Sequence, residues 1–221
     1  DKKEGWGYKE AAEHYLRVVG VLVPRREEIL SIISMLATAF TTEHPKVLDL
    51  GCGNGDITNE ILKIKPNASV YMLDFSDEMI RLSKERFKDN SNIKIFKHDL
   101  NKGLSDMLAE EQFDVAVSCF SLHHIKFVNR VKLYSSIRNK LKEAGLFING
   151  DRFKGESTSI EQWEFDNWIK FMEKQIKEKF GKNKTFSEVK HTQIESDKKL
   201  GDKPETIWHM EQDLREAGFE Y

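Results

Sequence analysis

The sequence predicts an α/β protein: a doubly wound, mostly parallel sheet with helices on both faces, plus a helical cap. Three observations carry this. Short apolar runs suited to buried strands recur at 46–50, 69–74, 93–97, 113–118 and 146–149, with helical spacing between them. Strands that alternate with helices make a parallel sheet. The run Val47-Leu48-Asp49-Leu50-Gly51-Cys52-Gly53-Asn54-Gly55 takes a strand into a glycine-rich turn and on into a helix. From residue 155 the pattern changes to one long helix over 157–180 and a Lys-rich, weakly apolar stretch over 181–204.

The elements follow in order. Residues 1–40 are expected to hold an aromatic-rich lid arm, with Trp6, Tyr8, His14 and Tyr15, and then a helix opened by Pro24, as proline does at a first helical position. Its apolar stripe is Ile29, Leu30, Ile32, Ile33, Leu36, Ala37 and Phe40. Residues 41–154 form the ligand-binding core. After Gly55, Ile57, Ile61, Leu62 and Ile64 fall on one helical face. Ser76 reads as the N-cap of a helix over 77–88, with Met79, Ile80, Leu82 and Phe87 inward. A helix over 128–142 ends near Gly145. Residues 155–204 read as a helical cap insertion, carrying Ile160, Trp163, Trp168, Met172, Ile176 and Phe180. Residues 205–221 hold a last core helix, closed by Gly218, and the start of a strand at Phe219.

Composition narrows the function classes. The chain has 221 residues and a net charge of −2, with 35 basic against 37 acidic side chains, so no basic excess points to nucleic acid or a membrane surface. Nucleic acid is disfavoured as a partner. The two cysteines, Cys52 and Cys119, lie far apart, which argues against a disulfide framework and against C-x-x-C metal spacing. No metal is expected. With no apolar run of membrane-spanning length and no leader, the cytoplasm is the expected compartment.

The glycine turn lets backbone N–H groups approach a ligand closely. Asp74 ends the second strand nineteen residues after Gly55, placed to accept hydrogen bonds from ribose hydroxyls. The spacing is G-x-G-x-G, and the sixth position from Gly51 is Asp56, which departs from the dinucleotide fingerprint. Asp49, at the strand end, would repel a pyrophosphate but suit a cation. S-adenosylmethionine carries a sulfonium and an ammonium group and no phosphate, so the charge logic favours it over NAD.

Over roughly residues 45–152 the chain resembles the class I S-adenosylmethionine-dependent methyltransferases, in particular those acting on small molecules, whose fold is Rossmann-like. The resemblance implies that Gly51, Cys52, Gly53 and Gly55 seat the amino-acid part of the cofactor, and that Asp49 holds its ammonium directly or through water. Asp74 takes the ribose. Phe75 and Met79 sandwich the adenine or belong to the core. Asp99 accepts from the adenine amino group, with a backbone contact from Leu100, or else caps a turn. Ser118 and Cys119 lie near the methionine part, and Tyr15 covers the cofactor. The Leu122-His123-His124 run is common in this place among small-molecule enzymes. His123, His124 or Tyr8 would act as a base, or the histidines order the loop. Asp151 and Arg152, with Trp163 and Trp168, would line an acceptor pocket; a surface ion pair and core packing are the alternatives. The [DNS]-P-P-[YFW] run of DNA amino-methyltransferases is absent.

Two other readings stay open. One is an enzyme that converts S-adenosylmethionine to a carboxylated form, for which Arg25, Arg26 or Arg152 would supply a cation. The other is a catalytically silent cofactor-binding module. The closing strand and hairpin usual in this class have no room after Phe219, so the sheet is expected without them, and an unfinished edge would invite pairing into a homodimer.

Overall fold

Five segments form the sheet: β1 (Lys46–Leu50), β2 (Ser69–Asp74), β3 (Ile93–Lys97), β4 (Phe113–Cys119) and β5 (Leu141–Gly150), the three inner ones buried on both faces and the two edge ones, β3 and β5, only partly covered. All pair in parallel, in the order β3-β2-β1-β4-β5. The computed structural model describes residues 9–104 and 108–220. Trp6 and Tyr8 lie outside the described residues. The chain reverses its winding between β1 and β4, so the crevice for a ligand lies beyond the carboxyl ends of these two strands.

Alternation along each strand sorts the core into two layers. Val47, Val70, Val115 and Val117 face α2 (Arg26–Ala39), through Leu30, Ile33 and Ala37, and α3 (Asp56–Ile64), through Ile57 and Ile61. Leu48, Leu50, Tyr71, Leu73 and Ala116 face α5 (Phe127–Lys140), through Leu133, Tyr134 and Ile137, and Met210 of α8 (Ile207–Glu216). α4 (Asp77–Arg86) begins as expected, with Ser76 Oγ accepting from the Met79 N–H at 3.4 Å. Among the described residues no helix is long and apolar enough to cross a membrane.

Several expectations change. The arm is helical from its first described residue: α1 (Lys9–Leu22) packs Val21 against Ile169, Met172 and Val189 of the cap. Pro24 does not take the first helical position. It lies in the turn before α2, whose N-cap is Arg25 at φ 52°. Gly145 does not end a helix; it lies inside β5, which already pairs at Leu141 opposite Phe113 and then shifts register. The cap holds α6 (Thr158–Phe180) and, over the stretch read as merely Lys-rich, α7 (Phe186–Leu200). A capping box between Thr185 and Glu188 starts α7, and few apolar residues are needed because only one face is covered. Phe219 starts no strand; its ring folds back to 5.7 Å from that of Phe147.

The cap is tied down at both ends. Trp168 Nε1 donates to the Leu22 carbonyl at 2.6 Å and Lys179 Nζ to the Gly20 carbonyl at 2.7 Å. At its return, the Lys203 N–H donates to the His123 carbonyl at 2.8 Å, and the Lys154 N–H to the Glu205 carbonyl at 3.0 Å. Between these ties the cap and α1 roof the carboxyl ends of the strands.

Candidate functional site

Under that roof lies a cavity of about 1640 Å³. Its floor is the turn after β1. The Cys52 N–H donates to the Leu73 carbonyl at 2.9 Å, and Gly53 follows at φ 54°, where a side chain would be strained. A Cβ on Gly53 would meet nothing nearer than Met79 Sδ at 4.0 Å and would stand in the cavity. Gly51 also lines the cavity, but its closest approach is to protein: a Cβ there would sit 1.7 Å from Ser121 Oγ. Gly55 departs from the expected role. It is off the cavity wall, and a Cβ would strike Phe87 at 2.4 Å and Met72 at 2.9 Å, so it serves the packing of α3 and α4.

Asp74 stands where β2 ends and lines the cavity. Its Oδ2 accepts from the Gly53 N–H at 2.8 Å and its Oδ1 from the Ser76 N–H at 2.8 Å. The carboxylate keeps a further acceptor position. Burial raises its pKa above the ordinary value, against the backbone N–H groups of Ser76, Gly53 and Phe75. Asp49 is fully buried behind the turn rather than on the cavity wall, out of direct reach of a ligand there. The Thr58 hydroxyl donates to its Oδ2 at 2.5 Å, and Oδ1 has no hydrogen-bond partner among the described residues. Burial, with smaller contributions from Asp74 and Asp56, pushes the Asp49 carboxyl up to about 7.

Phe75, Met79, Asp99 and Leu100 all reach the cavity. Phe75 is 49% exposed there, whereas Met79 is buried and packs as well as lines. Asp99 is both a wall residue and a cap: its Oδ1 accepts from the Asn101 N–H at 3.0 Å. On the α1 side, Tyr15 and Cys119 meet Arg26. Burial pushes the Tyr15 hydroxyl and the Cys119 thiol each up to about 12, with the Arg26 guanidinium acting the other way. Arg26 itself holds Asp56 at 2.5 Å. Ser118 departs from its expected place: it is fully buried, off the cavity, with its hydroxyl donating to the Leu50 carbonyl at 3.0 Å.

The two histidines part company. His124 lines the cavity, with Nδ1 3.1 Å from Asp202 Oδ1. Burial, with His123 nearby, lowers its pKa, so it is neutral at neutral pH. His123 is absent from that wall. Its N–H donates to Asp151 Oδ2 at 3.1 Å and its Nδ1 lies 2.5 Å from Asp151 Oδ1. Burial works against the Asp151 charge, yet His123 holds its carboxyl below the ordinary value. His123, His124 and Asp202 bring three metal-ligating atoms within 4.8 Å of one another, with the Arg152 guanidinium already supplying positive charge 3.4 Å from Asp202.

The expected acceptor wall is the largest correction. None of Asp151, Arg152, Trp163 and Trp168 lines the cavity. Asp151 serves His123, and Arg152 pairs with Asp197 at 2.9 Å and stacks on the Trp168 ring at 4.3 Å. Trp163 is 68% exposed. The cap reaches the cavity instead through Met172, Ile176 and Val189 and through a set of lysines, and Asp202 joins His124 from the cap's return. A periodicity argument looks for apolar walls and passes over lysines in linkers.

What the strand order and the cavity define is a doubly wound α/β domain with a ligand crevice at the point where the winding reverses. The family model described as a methyltransferase domain matches residues 47–145, and over this part the chain is similar to the S-adenosylmethionine-dependent methyltransferases. A carboxy-S-adenosyl-L-methionine synthase from Campylobacter fetus is 25% identical over 140 residues, 62% of this chain and 57% of that protein. A malonyl-[acyl-carrier protein] O-methyltransferase from a Paenibacillus species is 31% identical over 123 residues, 53% of this chain and 42% of that one. The chain thus spans about half the length of these curated relatives. Among solved structures, a phosphoethanolamine N-methyltransferase of Haemonchus contortus, in complex with phosphomonomethylethanolamine and S-adenosylhomocysteine, shares the fold. Its TM-score is 0.66 at 18% identity, over 96% of this chain and 42% of that one.

Proposed function

We propose that this chain binds S-adenosylmethionine and transfers its methyl group to a small-molecule acceptor. The observation that carries the reading is the Asp74–Gly53 pair at 2.8 Å on the floor of the cavity, with a glycine where any Cβ would intrude. The remaining acceptor position of Asp74 suits a ribose hydroxyl. Gly51, Cys52 and Gly53 offer backbone to the amino-acid part, Phe75 and Met79 flank the base, and Asp99 and Leu100 reach its edge. The unpartnered Asp49 oxygen suits an ammonium held through water. On this reading residues 41–154 form the cofactor-binding core, 155–204 the cap, and the setting is cytoplasmic, in keeping with two free thiols.

S-adenosylmethionine, when bound, supplies a methyl group activated by its sulfonium. The chain's own part is to hold, align and exclude water, which accounts for several kcal/mol of a displacement barrier. His124 is neutral and reaches the cavity, so its imidazole accepts a proton from an oxygen or nitrogen acceptor, while Asp202 orients the ring. His123 positions rather than reacts. A second reading, carboxylation of the cofactor, is favoured by one observation: Arg26 lines the cavity beside Tyr15 and Cys119.

Calorimetric titration with S-adenosylhomocysteine tests the cofactor, and a folded chain that fails to bind it sinks the proposal. Mass spectrometry of turnover then separates the readings, since methyl transfer yields S-adenosylhomocysteine and carboxylation a heavier sulfonium compound.

The Asp49 carboxyl gives a pH prediction. Its folded value, about 7, lies above the ordinary 3.8, so between these the folded chain holds a proton that the unfolded one releases, and stability from this group falls as pH rises. Cofactor binding has the opposite sign. A nearby ammonium favours the carboxylate, so affinity rises with pH through about 7 and then levels, with proton release below it. Titrations in two buffers of different ionisation heat at about pH 6 measure that release, and Asp49→Asn is expected to abolish it. Equal proton release from wild type and variant would contradict the assignment.

A further inference from the structure

The charges on the cavity differ by wall. The core side is mixed: Asp74, Asp99 and Asp56, the last paired with Arg26 and Arg86, stand with Arg26 itself and Lys126, and α1 adds Glu10. The cap carries one sign: every charged residue it contributes to the lining, from Lys182 to Lys203, is a lysine. This happens in a chain of net charge −2, and in a cap segment that contains carboxylates of its own.

The four carboxylates between Lys182 and Lys203 are all committed elsewhere. Glu188 accepts from the Thr185 N–H and hydroxyl, and Glu195 pairs with Lys198 at 3.0 Å. Asp197 takes Arg152 at 2.9 Å, and Asp202 takes Arg152 and His124. Lys182, Lys184, Lys199 and Lys203 are left with no ion pair among the described residues. Lysines in the last turn of a helix are ordinary, since they complement its dipole, and Lys198 and Lys199 fit that account. Lys182, Lys184 and Lys203 lie in no helix, so the dipole does not explain them. Lys203 is moreover fixed in place, because its N–H is bonded to His123, the neighbour of the cavity-lining His124.

We infer that the acceptor is a small oxyanion, a molecule bearing phosphate or carboxylate groups, seated on Lys199 and Lys203 at the end of the cap's lysine wall next to His124, while Lys182 and Lys184, at the other end of α7, add to the field of that wall. The inference rests on the cofactor reading above and names its acceptor class. A cleft wall of one sign concentrates ligands of the other sign, which a chain of negative net charge needs if it is to draw in an anion. Ammonium groups bind oxyanions by charge-assisted hydrogen bonds without demanding one geometry. The arrangement places the cationic cofactor against carboxylates on the floor and the anionic acceptor against lysines on the roof, with His124 at the junction.

The test is titration of the whole chain with pyrophosphate and, separately, with citrate at low ionic strength, each with and without S-adenosylhomocysteine. The wild type is compared with Lys199→Gln/Lys203→Gln and with Lys142→Gln, whose lysine pairs with Asp114 away from the cavity. Binding of one or both anions, weakened about tenfold or more in the double variant and unchanged in Lys142→Gln, is the expected result. A preference for pyrophosphate assigns the acceptor to phosphates, and one for citrate to carboxylates. Anion binding that persists when S-adenosylhomocysteine fails to bind would remove the cofactor reading and keep the oxyanion site. No binding of either anion, or equal binding by wild type and double variant, overturns the inference whether or not S-adenosylhomocysteine binds.

Discussion

Replacing Glu205 by alanine is expected to destabilise the chain by about 3–5 kcal/mol. Arg130 is 1% exposed, and its guanidinium is the buried knot between core and cap. Its Nε donates to the Ile125 carbonyl at 3.1 Å, its Nη2 to the Lys203 carbonyl at 2.5 Å, and its Nη1 pairs with Glu205. Burial outweighs the attraction of Arg130 and leaves the Glu205 carboxyl above its ordinary value, so this pair is not itself a source of net stability. What costs is separating it, because arginine keeps its charge and has nowhere to place it. The double variant Arg130→Met/Glu205→Leu is therefore expected to recover most of the loss. Urea unfolding of the three proteins, wild type, single variant and double variant, decides the matter. A single-variant loss below about 1 kcal/mol, the range of an exposed pair, would show that the guanidinium is rehydrated.

The second large effect is on the ligand. Asp74→Ala is expected to weaken S-adenosylhomocysteine binding by about a hundredfold or more, the size of losing one or two hydrogen bonds to a charged group. The variant loses the ribose acceptor and also frees the Gly53 and Ser76 N–H groups that shape the turn. Asp74→Asn keeps one acceptor oxygen and should fall between the two. Binding of the alanine variant within about threefold of wild type would remove Asp74 from the site and leave it as a turn residue.

The sheet was legible in the sequence because buried parallel strands read as short apolar runs, and all five appear where those runs lie. Asp74 and the glycine turn were legible for a related reason, since their spacing follows from one strand-turn-helix unit. Gly55 shows the limit: three glycines in one motif look alike, yet only contact with Phe87 and Met72 tells that the third serves packing. The acceptor wall was not legible. Aromatic spacing on α6 singled out Trp163 and Trp168, but a helix stripe does not say which layer it meets, and α1 took Trp168. The pairing of His124 with Asp202 and of Arg130 with Glu205 joins residues more than seventy positions apart, which no local pattern encodes.

The bond between the Lys154 N–H and the Glu205 carbonyl means that the cap leaves the sheet and rejoins it at one point. A segment whose entry and exit touch is a replaceable part: it can be lengthened, shortened or exchanged while the strands and their loops keep their places. The floor of the cavity then stays constant while the roof is free to diverge. For an engineer, residues 155–204 are a cassette, and new acceptor preferences are best sought by swapping this stretch at the Lys154–Glu205 seam rather than by altering the core.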